Sequence, residues 1–141
     1  MYIVADPSIF EIEEVLAQVA KRHDLRQILP KATLTKNAEF LKSGWCYLFY
    51  DEKTLAPLGY CNFELMGGQK SAILRFGTTT AAKPHNIHCA WRAMRNVIKT
   101  ALNYRASVYI HNERFAKFAN KCGFSRKIVK SRDGWAYNKK A

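Results

Sequence analysis

The sequence predicts an α/β chain of the α+β kind, a mixed and mostly antiparallel central sheet flanked by about four helices. Three observations carry this. Residues 45–78 hold three aromatic and β-branched runs separated by short polar stretches, which is how an antiparallel meander reads. Residues 86–103 show the clearest helical periodicity in the chain. Residues 108–124 (VYIHNERFAKFANKCGF) then read strand, Asn, short helix, Gly-Phe, strand, with Gly123 where a helix end favours a left-handed residue.

Taken in order, residues 2–4 are a short extended start. Asp6-Pro7 reads as N-cap and first helical residue, because the carboxylate accepts from free backbone N–H groups and proline has none to leave unpaired. Ile9, Ile12, Leu16 and Val19 recur at helical spacing, with Glu11, Glu13 and Glu14 near the positive end, so the first helix runs to about Arg22. Leu25, Ile28 and Leu29 give a turn of helix stopped by Pro30. Thr35 caps another short helix that carries Phe40 and Leu41 and ends at Gly44. The strands of the meander are residues 45–50 (WCYLFY), 58–65 (LGYCNFEL) and 71–78 (SAILRFGT), with a polar turn at 51–53 and a tight reversal at Gly67-Gly68. The long helix, from about Asn86 to Asn103, has Ile87, Ala90, Trp91, Met94 and Val97 on one face and Arg92, Arg95, Asn96 and Lys99 on the other. A strand at 107–111 and a short helix with Phe115, Phe118, Ala119 and Cys122 on one face follow. Residues 125–130 and 135–138 form a last hairpin across Ser131-Arg132-Asp133-Gly134.

A chain of 141 residues, 48% hydrophobic and 24% charged, is most simply one domain with a real core. No apolar run approaches the roughly 20 residues of a membrane helix. The start, MYIVADPSIFEIEE, has no basic stretch before its apolar residues and does not read as a secretory signal. Cys46, Cys61, Cys89 and Cys122 show no C-x-x-C spacing and lie in apolar settings, which suits reduced thiols in a cytoplasmic protein. His85-x-x-His88-Cys89 lacks the spacing of a closed zinc site, so no metal is expected. The net charge of +12 is unevenly placed: residues 1–70 carry 8 Lys and Arg against 9 Asp and Glu, residues 71–141 carry 15 against 2. The basic 71–141 half attracts polyanions, whether DNA, an acidic protein or a phosphate-bearing cofactor. A plain nucleic-acid binder is supported by that charge alone, since no RNA-recognition strand motif or zinc finger is present.

This element order, with N-x-x-F-x-x-F-x-x-K-C-G-F from Asn112 to Phe124, resembles the GNAT family of acyl-CoA-dependent N-acetyltransferases. The order covers nearly the whole chain and the motif about its last third. Family members end their last segment in Asn, a short apolar helix with a Tyr, and Lys-x-Gly-Phe; Asn112, Phe118, Lys121, Gly123 and Phe124 match. The resemblance implies acetyl-CoA as co-substrate and an amine-bearing small molecule or protein as acceptor, acetylated by direct attack on the thioester. It implies that strands four and five form a splayed parallel pair around the pantetheine arm. It also implies that the loop into the long helix holds the pyrophosphate at the helix N-terminus, which is physically an anion site. On this sequence the cofactor contacts fall on Phe76, Gly77 and Thr78 of strand four, on Lys83, His85, Asn86, Ile87 and His88, and on Asn112, Phe115 and Phe118. Glu64, late on the preceding strand, is the expected base.

Two departures from the family pattern stand out. The family loop reads Arg/Gln-x-x-Gly-x-Gly/Ala, whereas here it is Lys83-Pro84-His85-Asn86-Ile87-His88. The glycines are gone and Pro84 removes a donor, leaving the side chains of Lys83, His85 and Asn86 to offer donors instead. The position of the helix Tyr is Ala119, and Tyr109 and Cys122 are the nearest groups that could protonate a leaving thiolate. Loss of such an acid is worth roughly 10²- to 10⁴-fold. Small phage proteins with this fold and a similarly altered loop supply the alternative, a non-catalytic phage, virion-associated or nucleic-acid-associated binding module. It would sit in the host cytoplasm or the virion. Acceptor choice in the family lies in the region that corresponds to residues 23–44.

Overall fold

A computed structural model describes the backbone of residues 1–22, 33–65, 71–97, 107–110, 124–131 and 134–139, with side chains over 1–22, 33–64 and 75–97. It divides into two compact units, Met1–Phe63 with Arg75–Asn86, and Glu64–Leu74 with Ile87–Ala141.

The first unit holds β1 (Tyr2–Ala5), α1 (Ile9–Ala20), α2 (Leu34–Ser43), β2 (Trp45–Tyr50), most of β3 (Pro57–Leu65) and the second half of β4 (Ser71–Thr78). β1 pairs antiparallel with β2 from Tyr2↔Tyr50 to Ala5↔Tyr47, and β2 with β3 from Trp45↔Phe63 to Tyr50↔Pro57. β4 follows β3 in the sheet, so the predicted meander is present. Alternation along the strands sorts the side chains onto two faces. Cys46 and Leu48 of β2 and Tyr60 of β3 cluster with Ile12, Val15, Leu16 and Val19 of α1 and with Ala38 and Leu41 of α2. The intervening aromatics pair with one another: Tyr47 meets Phe63 edge-on at 6.3 Å, and Phe49 meets Phe76 at 5.9 Å.

The helix starts differ from the expected ones. α1 is capped by Ser8, not by Asp6-Pro7: the Ser8 hydroxyl accepts from the Glu11 N–H at 3.2 Å, and the Glu11 carboxylate accepts from the Ser8 N–H at 3.0 Å. Each of two otherwise unpaired donors is thereby satisfied. Asp6 has φ 49, a left-handed turn that takes its carboxylate off the helix end. α2 is capped by Thr33 instead of Thr35, with Thr33 Oγ1 accepting from the Lys36 N–H at 3.2 Å, and it stops at Gly44 as expected. A Cβ on Gly44 would lie 2.5 Å from the Phe63 carbonyl oxygen, so the entry to β2 requires a glycine's close approach.

In the second unit the first half of β4 runs parallel to β5 (Ser107–Ile110), from Ser71↔Ser107 to Leu74↔Ile110. β5 pairs antiparallel with β7 (Gly134–Lys139), and β7 with β6 (Phe124–Ser131). A parallel pair needs a crossover, and α3 (Pro84–Val97) lies on it. Ser131 of β6 pairs with Gly134 of β7, and the pairing is irregular between Arg126 and Lys130. The expected splay of strands four and five, the reversal at Gly67-Gly68, the turn of helix at 25–30 and the short helix over 112–122 lie outside the described residues.

Candidate functional site

The first unit places its chemistry at the end of β4, where the chain must reverse into α3. Thr79 fixes the reversal. It is 2% exposed and its polar groups are all engaged. Its N–H donates to the Leu58 carbonyl at 2.9 Å, and its hydroxyl donates to the Pro57 carbonyl at 2.6 Å. Its own carbonyl accepts from the Ala82 N–H at 3.2 Å and from Arg22 Nη1 at 2.8 Å.

α3 then opens at Pro84, two residues before the predicted start. Proline is at home at a first helical position, where the N–H it lacks has no intrahelical partner anyway. The Lys83 N–H donates to Asn86 Oδ1 at 3.0 Å, and the Asn86 N–H to the Lys83 carbonyl at 2.9 Å. Lys83 and His85 are exposed and Asn86 half-buried. No acidic residue stands in the first turn of α3. The charge of this turn suits a phosphate: a lysine and a histidine at a positive helix end, with nothing negative between them. Its backbone suits one less well than a glycine loop does. Pro84 has no N–H, and those of Lys83 and Asn86 are already bonded, so an anion meets the side chains and the His85 N–H.

Along β4 the expected cofactor contacts are packed residues. Phe76 is 6% exposed, with its ring against Phe49, and Thr78 is buried. Gly77 lies against β3 so closely that a Cβ there would run into the Tyr60 ring, and a Cβ on Gly59 into the Gly77 carbonyl. Gly77 serves the β3–β4 approach.

Two polar residues inside apolar strand runs, Asn62 and Arg75, hold the α2 side of the sheet. Asn62 is buried; its Nδ2 donates to the Leu41 carbonyl at 2.8 Å, satisfying an end of α2 that has no helical partner. Its Oδ1 accepts from Arg75 Nη1 at 3.4 Å, and the Arg75 guanidinium lies 4.7 Å from the centre of the Phe40 ring. The Tyr60 hydroxyl is buried with no hydrogen-bond partner. Burial pushes its pKa up, opposed by the positive charge of Arg75. Burial likewise raises the Cys46 thiol to about 12, against the pull of Lys42, and pushes Cys61 up. The signal for Asn62 and Arg75 was present as a polar residue inside an apolar strand run, LGYCNFEL and SAILRFGT.

Glu64 is half-buried on β3, two residues beyond Asn62 and so on the same face of the strand. Ile87 is buried on α3; His88 is half-buried with its Nε2 unpartnered. The backbone of Tyr109 pairs with Ile73 and Ala136 in the sheet. Asn112, Phe115, Phe118 and Cys122 lie outside the described residues. Among the described residues no three His, Cys, Asp or Glu side chains gather as metal ligands.

No protein-family model matches the chain, and no curated protein matches its sequence. Solved structures do match it. Spermidine N-acetyltransferase from Vibrio cholerae, in complex with CoA and spermine, aligns with a TM-score of 0.69 at 10% identity over 97% of this chain and 92% of its own. Ribosomal-protein-S5-alanine acetyltransferase from Vibrio fischeri aligns at 0.69 and 14% identity over 98% and 90%. FdhC, a nucleotide-linked sugar GNAT, aligns at 0.70 and 11% over 97% and 84%. The chain has the GNAT fold.

Proposed function

We propose that this GNAT-fold chain is an acyl-CoA-dependent N-acetyltransferase that acetylates an amine. The observation that carries the reading is the likeness in fold across almost the whole chain to solved acetyltransferases, one of them in complex with CoA. The turn from β4 into α3 agrees with it in charge. Acetyl-CoA, when bound, supplies the acetyl group as an activated thioester. Lys83 and His85, beside the positive end of α3, hold its phosphates. Glu64 accepts the proton that the acceptor nitrogen loses as the new C–N bond forms and the C–S bond breaks. Ala119 stands where the family's tyrosine would protonate the sulfur, so the thiol proton comes from solvent or from Tyr109 or Cys122.

The acceptor is an amine-bearing small molecule or protein. A net charge of +12 repels a polycationic acceptor, which favours an amine carried on a neutral or acidic molecule. A cytoplasmic setting is part of this reading, and the free thiols of Cys46, Cys61 and Cys89 agree with it.

Thermal unfolding with and without acetyl-CoA tests the reading. A ligand at 100 times its dissociation constant stabilises the folded chain by about 2.7 kcal/mol, which raises the midpoint by several degrees. An unchanged midpoint at millimolar acetyl-CoA would leave a binding module with an acetyltransferase fold.

A further inference from the structure

We propose that Arg22 is a positioning residue for the acyl-donor turn. The proposal rests on the acetyltransferase reading above and adds to it a residue that lies far from the turn in sequence. The Arg22 backbone is fixed by the last turn of α1, its N–H donating to the Val19 carbonyl at 3.0 Å. Its guanidinium crosses 57 residues of sequence to bond the Thr79 carbonyl at 2.8 Å in a partly buried setting.

The Thr79 N–H and hydroxyl are both tied to the start of β3, so the residue itself cannot swing. The remaining freedom lies in the peptide that leads on toward Lys83. The Thr79 carbonyl is the handle on that peptide, and it carries two donors. One is the Ala82 N–H, the turn's own closing bond at 3.2 Å. The other is Arg22 Nη1. Because both bond the same oxygen, the guanidinium nitrogen and the Ala82 nitrogen lie within 6.0 Å of each other.

The guanidinium therefore sits on the turn immediately before Lys83 and Pro84. A permanent charge with a planar set of donors gives that carbonyl one orientation. Without it the turn keeps only its weaker, longer internal bond, and the direction in which Lys83 and His85 leave α3 loosens. A loop whose missing glycines and occupied N–H groups leave binding to side chains depends on those side chains being held in place. Arg22 need not touch the acyl donor to matter: its effect passes through the Thr79 carbonyl.

The test uses the full chain and acetyl-CoA as probe. Arg22→Met keeps the aliphatic stem and removes the donors; it should raise the Kd and the KM for acetyl-CoA about tenfold, the cost of one hydrogen bond from a charged group, with kcat little changed. Arg22→Lys keeps a charge but not the fork and should fall between, about threefold weaker than wild type. Lys42→Ala serves as the stability control, because it removes another part-buried bond from a cation to a backbone carbonyl, Lys42 Nζ to the Pro7 carbonyl at 2.8 Å, away from the turn. It should lower the unfolding midpoint and leave acetyl-CoA affinity at the wild-type value. Wild-type affinity in Arg22→Met would overturn the proposal while leaving the acetyltransferase reading in place. Should Arg22→Met fail to fold, Arg22→Lys decides, and unchanged affinity there overturns the proposal. A wild-type chain that binds no acetyl-CoA overturns both.

Discussion

Glu64 and Gln differ by one proton acceptor at almost constant shape, so Glu64→Gln isolates chemistry from binding. Glu64 is half-buried at the end of a strand whose previous inward residue, Asn62, is committed to holding α2. If Glu64 takes the amine proton, its loss should lower kcat by about 10²- to 10⁴-fold with the KM for acetyl-CoA unchanged. Turnover equal to wild type in a steady-state assay removes it from the mechanism. The thiols give a second measurement at this scale. Burial raises the Cys46 pKa from 9.0 to about 12 and pushes Cys61 upward as well. A raised thiol pKa means that the folded state favours the protonated form. That contribution is complete below pH 9 and is lost as pH rises from about 9 toward 12. The unfolding midpoint should fall across that window. At pH 8 iodoacetamide should label exposed Cys89 before Cys46 or Cys61, read by mass spectrometry. Early labelling of Cys61 would contradict the buried position of β3.

At the scale of elements, strands were the most legible part of the sequence. WCYLFY gave β2 to the residue, and SAILRFGT gave β4, because an aromatic or β-branched run between polar turns leaves little else to form. Helix starts were less legible, because two local signals competed at each. Asp6-Pro7 and the Ser8-x-x-Glu11 box both offer a cap for α1. The choice is made from a distance: Lys42 of α2 donates to the Pro7 carbonyl at 2.8 Å and reaches the Asp6 carboxylate at 3.4 Å, holding the chain in its left-handed turn so that Ser8 meets the helix. No local pattern carries that tie. At α3 the local signal was present, since proline at a first helical position marks the start that the apolar periodicity placed at Asn86. The candidate site divides the same way. Lys83, His85 and Asn86 stand together at the start of α3, so the sequence alone puts them side by side. Asn62 and Arg75 showed only as polar breaks in apolar strands. The Arg22–Thr79 bond joins residues 57 apart, and only the fold brings them together.

At the scale of the whole molecule the uneven charge is the main property that local structure does not use up. Residues 71–141 hold 15 Lys and Arg against 2 Asp and Glu, far more positive charge than Lys83 and His85 need to meet a pyrophosphate. Long-range charge and short contacts respond differently to salt. The screening length falls from about 10 Å at 0.1 M to about 3 Å at 1 M, so the field of distant lysines fades while bonds at 3 Å persist. If the basic half draws in the acyl donor, the Kd for acetyl-CoA should rise steadily from about 0.05 to 0.5 M salt, chiefly through a slower association rate. Sucrose at matched osmolarity should leave it unmoved. A duplex DNA titration in the same salt series separates the other use of this charge, since DNA affinity would fall far more steeply with salt. A flat Kd for acetyl-CoA across the series would mean that the turn holds the donor through its short contacts alone. The charge of residues 71–141 would then act on the acceptor, and the same salt series applied to the acceptor's KM would report it.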